Sequence, residues 1–177
     1  ISAKVDSSIQ RKFMPCMEPK FTKVFINIDQ AYKTGFEIGG DINFMKHLTF
    51  SLGGAYTFAQ NQSFGEPLPE IPPFTINTFL QYENNKFYGK LHSRIISSQD
   101  RVSKSFDESI SDGFAVFDFY FRYSPWALVD VNFSITNIFD TKYTEHLSRA
   151  YKNQGPNSGD AFYEPGRSFN IGLKFKL

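Results

Sequence analysis

Seven stretches of this chain alternate apolar and polar residues with a period of two, and in none of them does the apolar side carry a charge. That alternation marks a strand with two different faces. In 36–44, Phe36, Ile38, Gly40, Ile42 and Phe44 oppose Glu37, Gly39, Asp41 and Asn43. In 48–58, Leu48, Phe50, Leu52, Gly54, Tyr56 and Phe58 oppose Thr49, Ser51, Gly53, Ala55 and Thr57. The same division runs through 74–82, 87–96, 115–123, 127–136 and the closing RSFNIGLKFKL. Each stretch is near the ~9–11 residues that a tilted strand needs to cross a bilayer. An uncovered two-faced edge strand invites pairing with other chains, whereas a transmembrane barrel pairs its edges by closure and solvates its apolar face with lipid. The expected fold is therefore all-β, a transmembrane antiparallel β-barrel, with Phe50, Leu52, Ile76, Leu80, Phe119, Val131 and Ile171 turned to lipid.

Composition narrows the alternatives. A net charge of +1 gives no electrostatic case for nucleic acid. The mean hydropathy of −0.35 and the lack of any apolar run near ~18 residues exclude a spanning helix but not a barrel, whose alternating strands average out. Aromatic residues make up 18% of the chain. Many fall at strand ends, including Phe36, Phe44, Phe58, Phe74, Tyr82, Phe87 and Tyr123, where an interfacial girdle places them. The single Cys16 excludes an internal disulfide framework. Ile1 opens neither a charged nor an apolar leader, so the chain reads as mature or trimmed.

The connections alternate. Met45-Lys46-His47, Glu83-Asn84-Asn85-Lys86 and Ser124-Pro125-Trp126 are tight turns, while 59–73, 97–113 and 137–166 are long. All long loops then lie on one side, the outer-membrane arrangement of short periplasmic turns and long extracellular loops. On this count 36–44 descends and residues 1–20 form an extracellular loop, provided 21–35 prolongs that strand. A separate strand at 21–28 would put residues 1–20 on the other side; the long strand is the expectation. Residues 1–177 are thus read as one barrel segment, with strands and loops over 21–177. Seven strands cannot close a barrel of this kind, which needs an even number from eight upward. The remaining strands must come from another chain or from a cleaved part of the same precursor.

Five motifs in order, NIDQAYKTGFE (27–37), GEPLPEIPP (65–73), SQDRVS (98–103), NIFDTKYTEHLSRA (137–150) and EPGRSFNIGLKFKL (164–177), resemble the C-terminal part of TonB-dependent outer-membrane receptors. The resemblance implies a large barrel plugged by an N-terminal domain, with this chain supplying its C-terminal seven or so strands. It further implies an outer-membrane location, contact with lipid and lipopolysaccharide, and import of scarce nutrients such as ferric siderophores, haem, cobalamin, copper or oligosaccharides. Energy would arrive through the TonB complex. Neither a plug nor a TonB box occurs in this chain, so both are expected outside it.

Several residues invite a chemical reading. Pro67, Pro69, Pro72 and Pro73 precede a strand and read as structural stops to pairing. Arg167 stands near the rim, where a loop carboxylate is a better partner than anionic lipopolysaccharide. Polar-face charges such as Lys90, His92, Arg94 and Asp118 hydrate the lumen or meet the plug, His47 and His92 lack partners at metal-ligand spacing, and His146 packs in a loop. Met14-Pro15-Cys16-Met17 clusters soft donors that suit Cu(I) and not ferric iron, so Met14, Cys16 and Met17 are candidate metal ligands; the plainer reading is apolar loop filling. Tyr143, Arg149, Tyr151 and Lys152 are candidate contacts for a ferric chelate or haem. No nucleophile elbow, phosphate loop or carboxylate pair is visible. The chain reads as a binding and gating protein, not an enzyme, requiring no cofactor and with copper as a candidate cargo. The rival is a soluble β-barrel or sandwich folding its apolar face inward around a small hydrophobic ligand.

Overall fold

The computed structural model describes residues 2–3, 22–23, 30–148 and 162–176. β1 (Ser2–Ala3) and β2 (Thr22–Lys23) pair antiparallel as a separate two-stranded sheet. The remaining strands share one antiparallel sheet: β3 (Ala31–Met45), β4 (Leu48–Asn61), β5 (Glu66–Pro67), β6 (Thr75–Glu83), β7 (Phe87–Ile96), β8 (Phe114–Trp126), β9 (Val129–Thr136) and β10 (Ser168–Phe175). Seven of them form a meander in the order β3-β4-β6-β7-β8-β9-β10, and β5 adds a short rung to β4. Among the described residues there is no helix, and β3 and β10 are the sheet's edges.

Register turns the separate alternations into two continuous faces. Ile42, Phe50, Leu80, Leu91, Phe119, Ile135 and Phe169 stand opposite one another, one from each long strand. One residue along, Asp41, Ser51, Phe79, His92 and Asp118 make a row on the opposite face. The Phe79 ring in that row is spent on His92, stacked at 4.5 Å between centroids. Thr78 and Ser93 also fall on the apolar face, and their hydroxyls satisfy each other: Thr78 Oγ1 and Ser93 Oγ lie 2.5 Å apart across the β6–β7 pair.

The apolar face is uncovered, with Ile38 68% and Ile171 79% exposed. The buried apolar side chains, Ala59, Ile96 and Val116, all belong to the polar face, close to the long loops. A soluble sandwich would pack the other side. This distribution removes the support for that rival.

Two boundaries differ from the sequence reading. The long strand does not reach back to residue 21, because Ala31 pairs with Asn61, the last residue of β4. Beyond Asn61 its side-chain Oδ1 accepts the N–H groups of Ser63 and Phe64 at 3.0 and 3.3 Å, turning the chain away. One further bond, from the Gln62 N–H to the Gln30 carbonyl at 3.0 Å, ends the ladder. Thr22–Lys23 pairs instead with Ser2–Ala3, and most of the expected 1–20 loop lies outside the described residues. The expected turn at Ser124-Pro125-Trp126 is also displaced, to Ala127-Leu128. Pro125 is tolerated in β8 because it falls in a register shift between Tyr123 and Trp126, where no ladder donor is needed.

In the intact protein, Leu80→Arg or Phe119→Arg should destabilise the sheet by ~2–4 kcal/mol, while Arg at Ser51 or Asn132 should be tolerated. Denaturant unfolding in lipid vesicles measures the difference, and equal costs on both faces would reject the assignment.

Candidate functional site

The three long connections, 62–74, 97–113 and the described parts of 137–167, meet at one end of the sheet. They are held by a few polar side chains, some buried and some half-buried. Glu108 is central: its Oε2 accepts the Ser103 N–H at 2.8 Å within its own loop, and its Oε1 accepts the Glu70 N–H at 2.8 Å from the loop before β6. His146, from the third loop, places Nε2 3.3 Å from the same Oε1. One carboxylate therefore touches all three loops. Glu66 repeats the device nearby, accepting the Ser105 N–H at 3.1 Å. Burial works against that carboxylate's charge, but hydrogen bonds from Ser105, Lys104 and Ser103 prevail and hold its pKa below the ordinary 4.5.

Loop 97–113 is tied to the sheet as well as to its neighbours. Gln99 and Ser111 exchange backbone hydrogen bonds at 2.9 and 3.0 Å. The Gln99 amide donates to the Ile71 carbonyl at 3.0 Å, and Arg101 donates to Gln60 Oε1 at 3.0 Å with its guanidinium 3.7 Å over the Phe58 ring.

The loop after β9 is built around Asn137, which is 3% exposed. Its N–H donates to Asp118 Oδ1 at 2.9 Å, its Oδ1 accepts the Thr141 N–H at 2.8 Å, and its Nδ2 donates to the carbonyls of Thr141 and Pro165 at 2.9 and 3.3 Å. A positive φ of 51° suits asparagine better than any branched residue. Asp140 then accepts the Arg167 N–H at 2.8 Å, and a Cβ on Gly166 would lie 2.6 Å from that carboxylate oxygen and push the cap aside. Asp118 continues into the wall. His92 Nδ1 donates to its Oδ2 at 3.1 Å, and His92 Nε2 lies 3.3 Å from Asn77 Oδ1.

Tyr143 closes the site over β7 and β8. Its ring lies 4.3 Å from that of Phe114, and Arg94 donates to its hydroxyl at 3.2 Å while also bonding the Glu145 carboxylate. Burial pushes the Tyr143 phenol above its ordinary pKa; Arg94 opposes this, and Glu145 and Glu164 reinforce it. The arrangement presents hydrogen-bonding and charged groups on a scaffold of loops. Among the described residues, no group of three or more His, Cys, Asp or Glu converges as a metal site.

The family model described as TonB dependent receptor-like, beta-barrel matches residues 5–138. The chain belongs to the TonB-dependent receptor β-barrel family. It is 26% identical to the probable hemoglobin and hemoglobin-haptoglobin-binding protein 4 of Haemophilus influenzae, covering 82% of this chain and 18% of that protein. The solved copper transporter OprC is 26% identical with a TM-score of 0.75, over 83% of this chain and 24% of OprC. The ferric yersiniabactin uptake receptor FyuA of Yersinia pestis shares the fold at 14% identity and a TM-score of 0.66, over 82% of this chain and 23% of FyuA. The chain thus spans under a quarter of these relatives' length and corresponds to the barrel part of plugged barrels.

Within this family member the site residues expected from sequence divide cleanly. Tyr143 lies in the loop cluster with its hydroxyl engaged by Arg94. Arg149, Tyr151 and Lys152 lie outside the described residues, as do Met14, Cys16 and Met17. His146 packs in its loop as expected. The Arg167 guanidinium meets the Ile138 carbonyl at 3.3 Å, and the loop carboxylate Asp140 takes its backbone N–H, so the expected side-chain ion pair is replaced by a main-chain cap. Glu108, Glu66 and Ser111 were not singled out by sequence, and no spacing points to them.

Asn137→Ala should destabilise the receptor by about 1–3 kcal/mol, since it strands the Thr141 N–H and two carbonyls in a buried turn. Urea midpoints against a Ser134→Ala control test this. Glu66 gives a pH signature: because its pKa is lowered in the folded loop, its contribution is complete above pH 4.5 and is lost as pH falls through the lower folded value. Proteolytic nicking within 97–113 should rise on acidification below that point, and Glu66→Gln should flatten the response.

Proposed function

We propose that this chain is the C-terminal barrel segment of an outer-membrane receptor that captures a scarce metal or metal chelate at the cell surface and admits it with energy delivered through TonB. The observation that carries the reading is the family match over residues 5–138. The uncovered apolar face and the polar loop cluster at one end of the sheet fit it: the first suits lipid, and the second suits an extracellular mouth above a hydrated lumen. The rest of the barrel and the N-terminal plug come from outside this chain, and the TonB complex and lipopolysaccharide are its further partners.

The named functions of the relatives, copper transport for OprC, haemoglobin binding for the Haemophilus protein and ferric yersiniabactin uptake for FyuA, define the cargo candidates. Copper is the first to test, because Met14, Cys16 and Met17 cluster soft donors that prefer Cu(I) over ferric iron. Tyr143, Arg149, Tyr151 and Lys152 are the corresponding candidates for a ferric chelate or haem.

The full-length receptor, purified under reducing conditions after copper supplementation, should retain Cu(I), and Cys16→Ala and Met17→Ala should each lose it. Haemin and a ferric catecholate serve as parallel probes. Retention of Cu(I) in both variants would leave the sulfur cluster as loop packing, and no copper in the parent together with tight binding of either iron probe would move the cargo to iron. Failure of all three probes, with growth unaffected by loss of TonB, would reject the receptor reading itself.

A further inference from the structure

The least satisfied polar group in the described part of the protein is His146 Nε2. The side chain is 2% exposed, and this nitrogen is buried without a hydrogen-bond partner. It borders a cavity of about 110 Å³ between the outer loops, lined also by Glu70, Glu108, Ile110, Ser111 and Glu145. The other ring nitrogen, Nδ1, lies 3.0 Å from Ser111 Oγ.

Nε2 and Glu108 Oε1 are 3.3 Å apart but not aligned as a hydrogen bond. If Nδ1 carries the proton and donates to Ser111, Nε2 holds a bare lone pair beside a carboxylate oxygen. Two acceptors at that separation repel unless a cation lies beside both. The spacing itself is informative: with metal–ligand bonds of ~2.0–2.2 Å, two ligands at a tetrahedral angle stand ~3.4 Å apart. Glu108 keeps a lone pair for such an ion after accepting the Glu70 N–H at Oε1. Ser111 supplies the hydrogen bond that orients a metal-binding imidazole and fixes its tautomer.

We propose that His146 Nε2 and Glu108 Oε1 bind a divalent transition-metal ion, of the zinc or copper(II) class, that staples loop 97–113 to loop 137–148. One nitrogen and one carboxylate oxygen suit such ions and not calcium, which takes six to eight oxygens. The remaining coordination positions fall to water, for which the cavity has room. The site is independent of the cargo reading and uses none of the sulfur donors.

The test uses the full-length receptor in a Cys16→Ala background, titrated calorimetrically with Zn2+ and Cu2+ and, as a control, Ca2+. Cobalt(II) absorption serves as a spectroscopic probe of nitrogen and oxygen ligation. The parent should bind one equivalent of Zn2+ or Cu2+ and no Ca2+. His146→Gln should lose that equivalent, Glu108→Gln should weaken it, and Ser111→Ala should weaken it by ~10–100-fold. Heat-modifiable migration on gels establishes that each variant is folded; were His146→Gln to misfold, the cobalt spectrum of the parent and the Glu108→Gln titration decide. Absence of binding by the parent, or binding unchanged by these substitutions, would overturn the proposal and leave the cavity to water.

Discussion

A backbone amide in hydrocarbon has no water to bond, and an unsatisfied one costs several kcal/mol. Most of this sheet's form follows from that constraint. The long strands are neighbours in sequence as well as in space, so each ladder is filled by the next strand along. Once every second residue must face lipid, the rows become uniform: from Ile42 to Phe169 a single line of apolar side chains crosses seven strands. The Thr78–Ser93 pair obeys the same rule at side-chain level, two hydroxyls on the lipid side closing on each other. Packing against a conventional core plays little part.

The loops obey a different economy. At their end of the sheet water returns, and ordering comes from side-chain caps to backbone groups instead of ladders. Asn137, Asp140, Glu66 and Glu108 each accept main-chain N–H groups from residues that have left regular structure. Asp118 joins the two regimes, holding His92 in the wall with one oxygen and the Asn137 N–H with the other.

How much of this could be read from the residues varies with the range of the interaction that decides it. Strand existence and facing were legible because period-two alternation is local and the lipid rule admits no charge on the outer face. The start of β3 was not, since it depends on where β4 turns, a matter of the Asn61 side chain thirty residues further on. The turn before β9 was misplaced because Ser-Pro reads as a turn unless a bulge absorbs the proline. Glu108 was invisible, because its partners Glu70 and His146 each lie 38 residues away, one before it and one after. Asn137, Asp140 and Gly166 sit inside the quoted motifs, and the structure supplies the reason for them: a positive φ, a carboxylate cap and a missing Cβ.

The last strand is fastened at both ends. Asp140 takes the Arg167 N–H at one end, and at the other Lys176 donates to the Leu128 carbonyl and, through Nζ, to Asp130, both at 2.9 Å. A strand held in this way cannot slide, and a slip of a single residue would exchange its two faces. Its free edge is therefore set at a definite height relative to β9. A strand that pairs with this edge meets a register already chosen, and its own inward and outward faces follow from that choice.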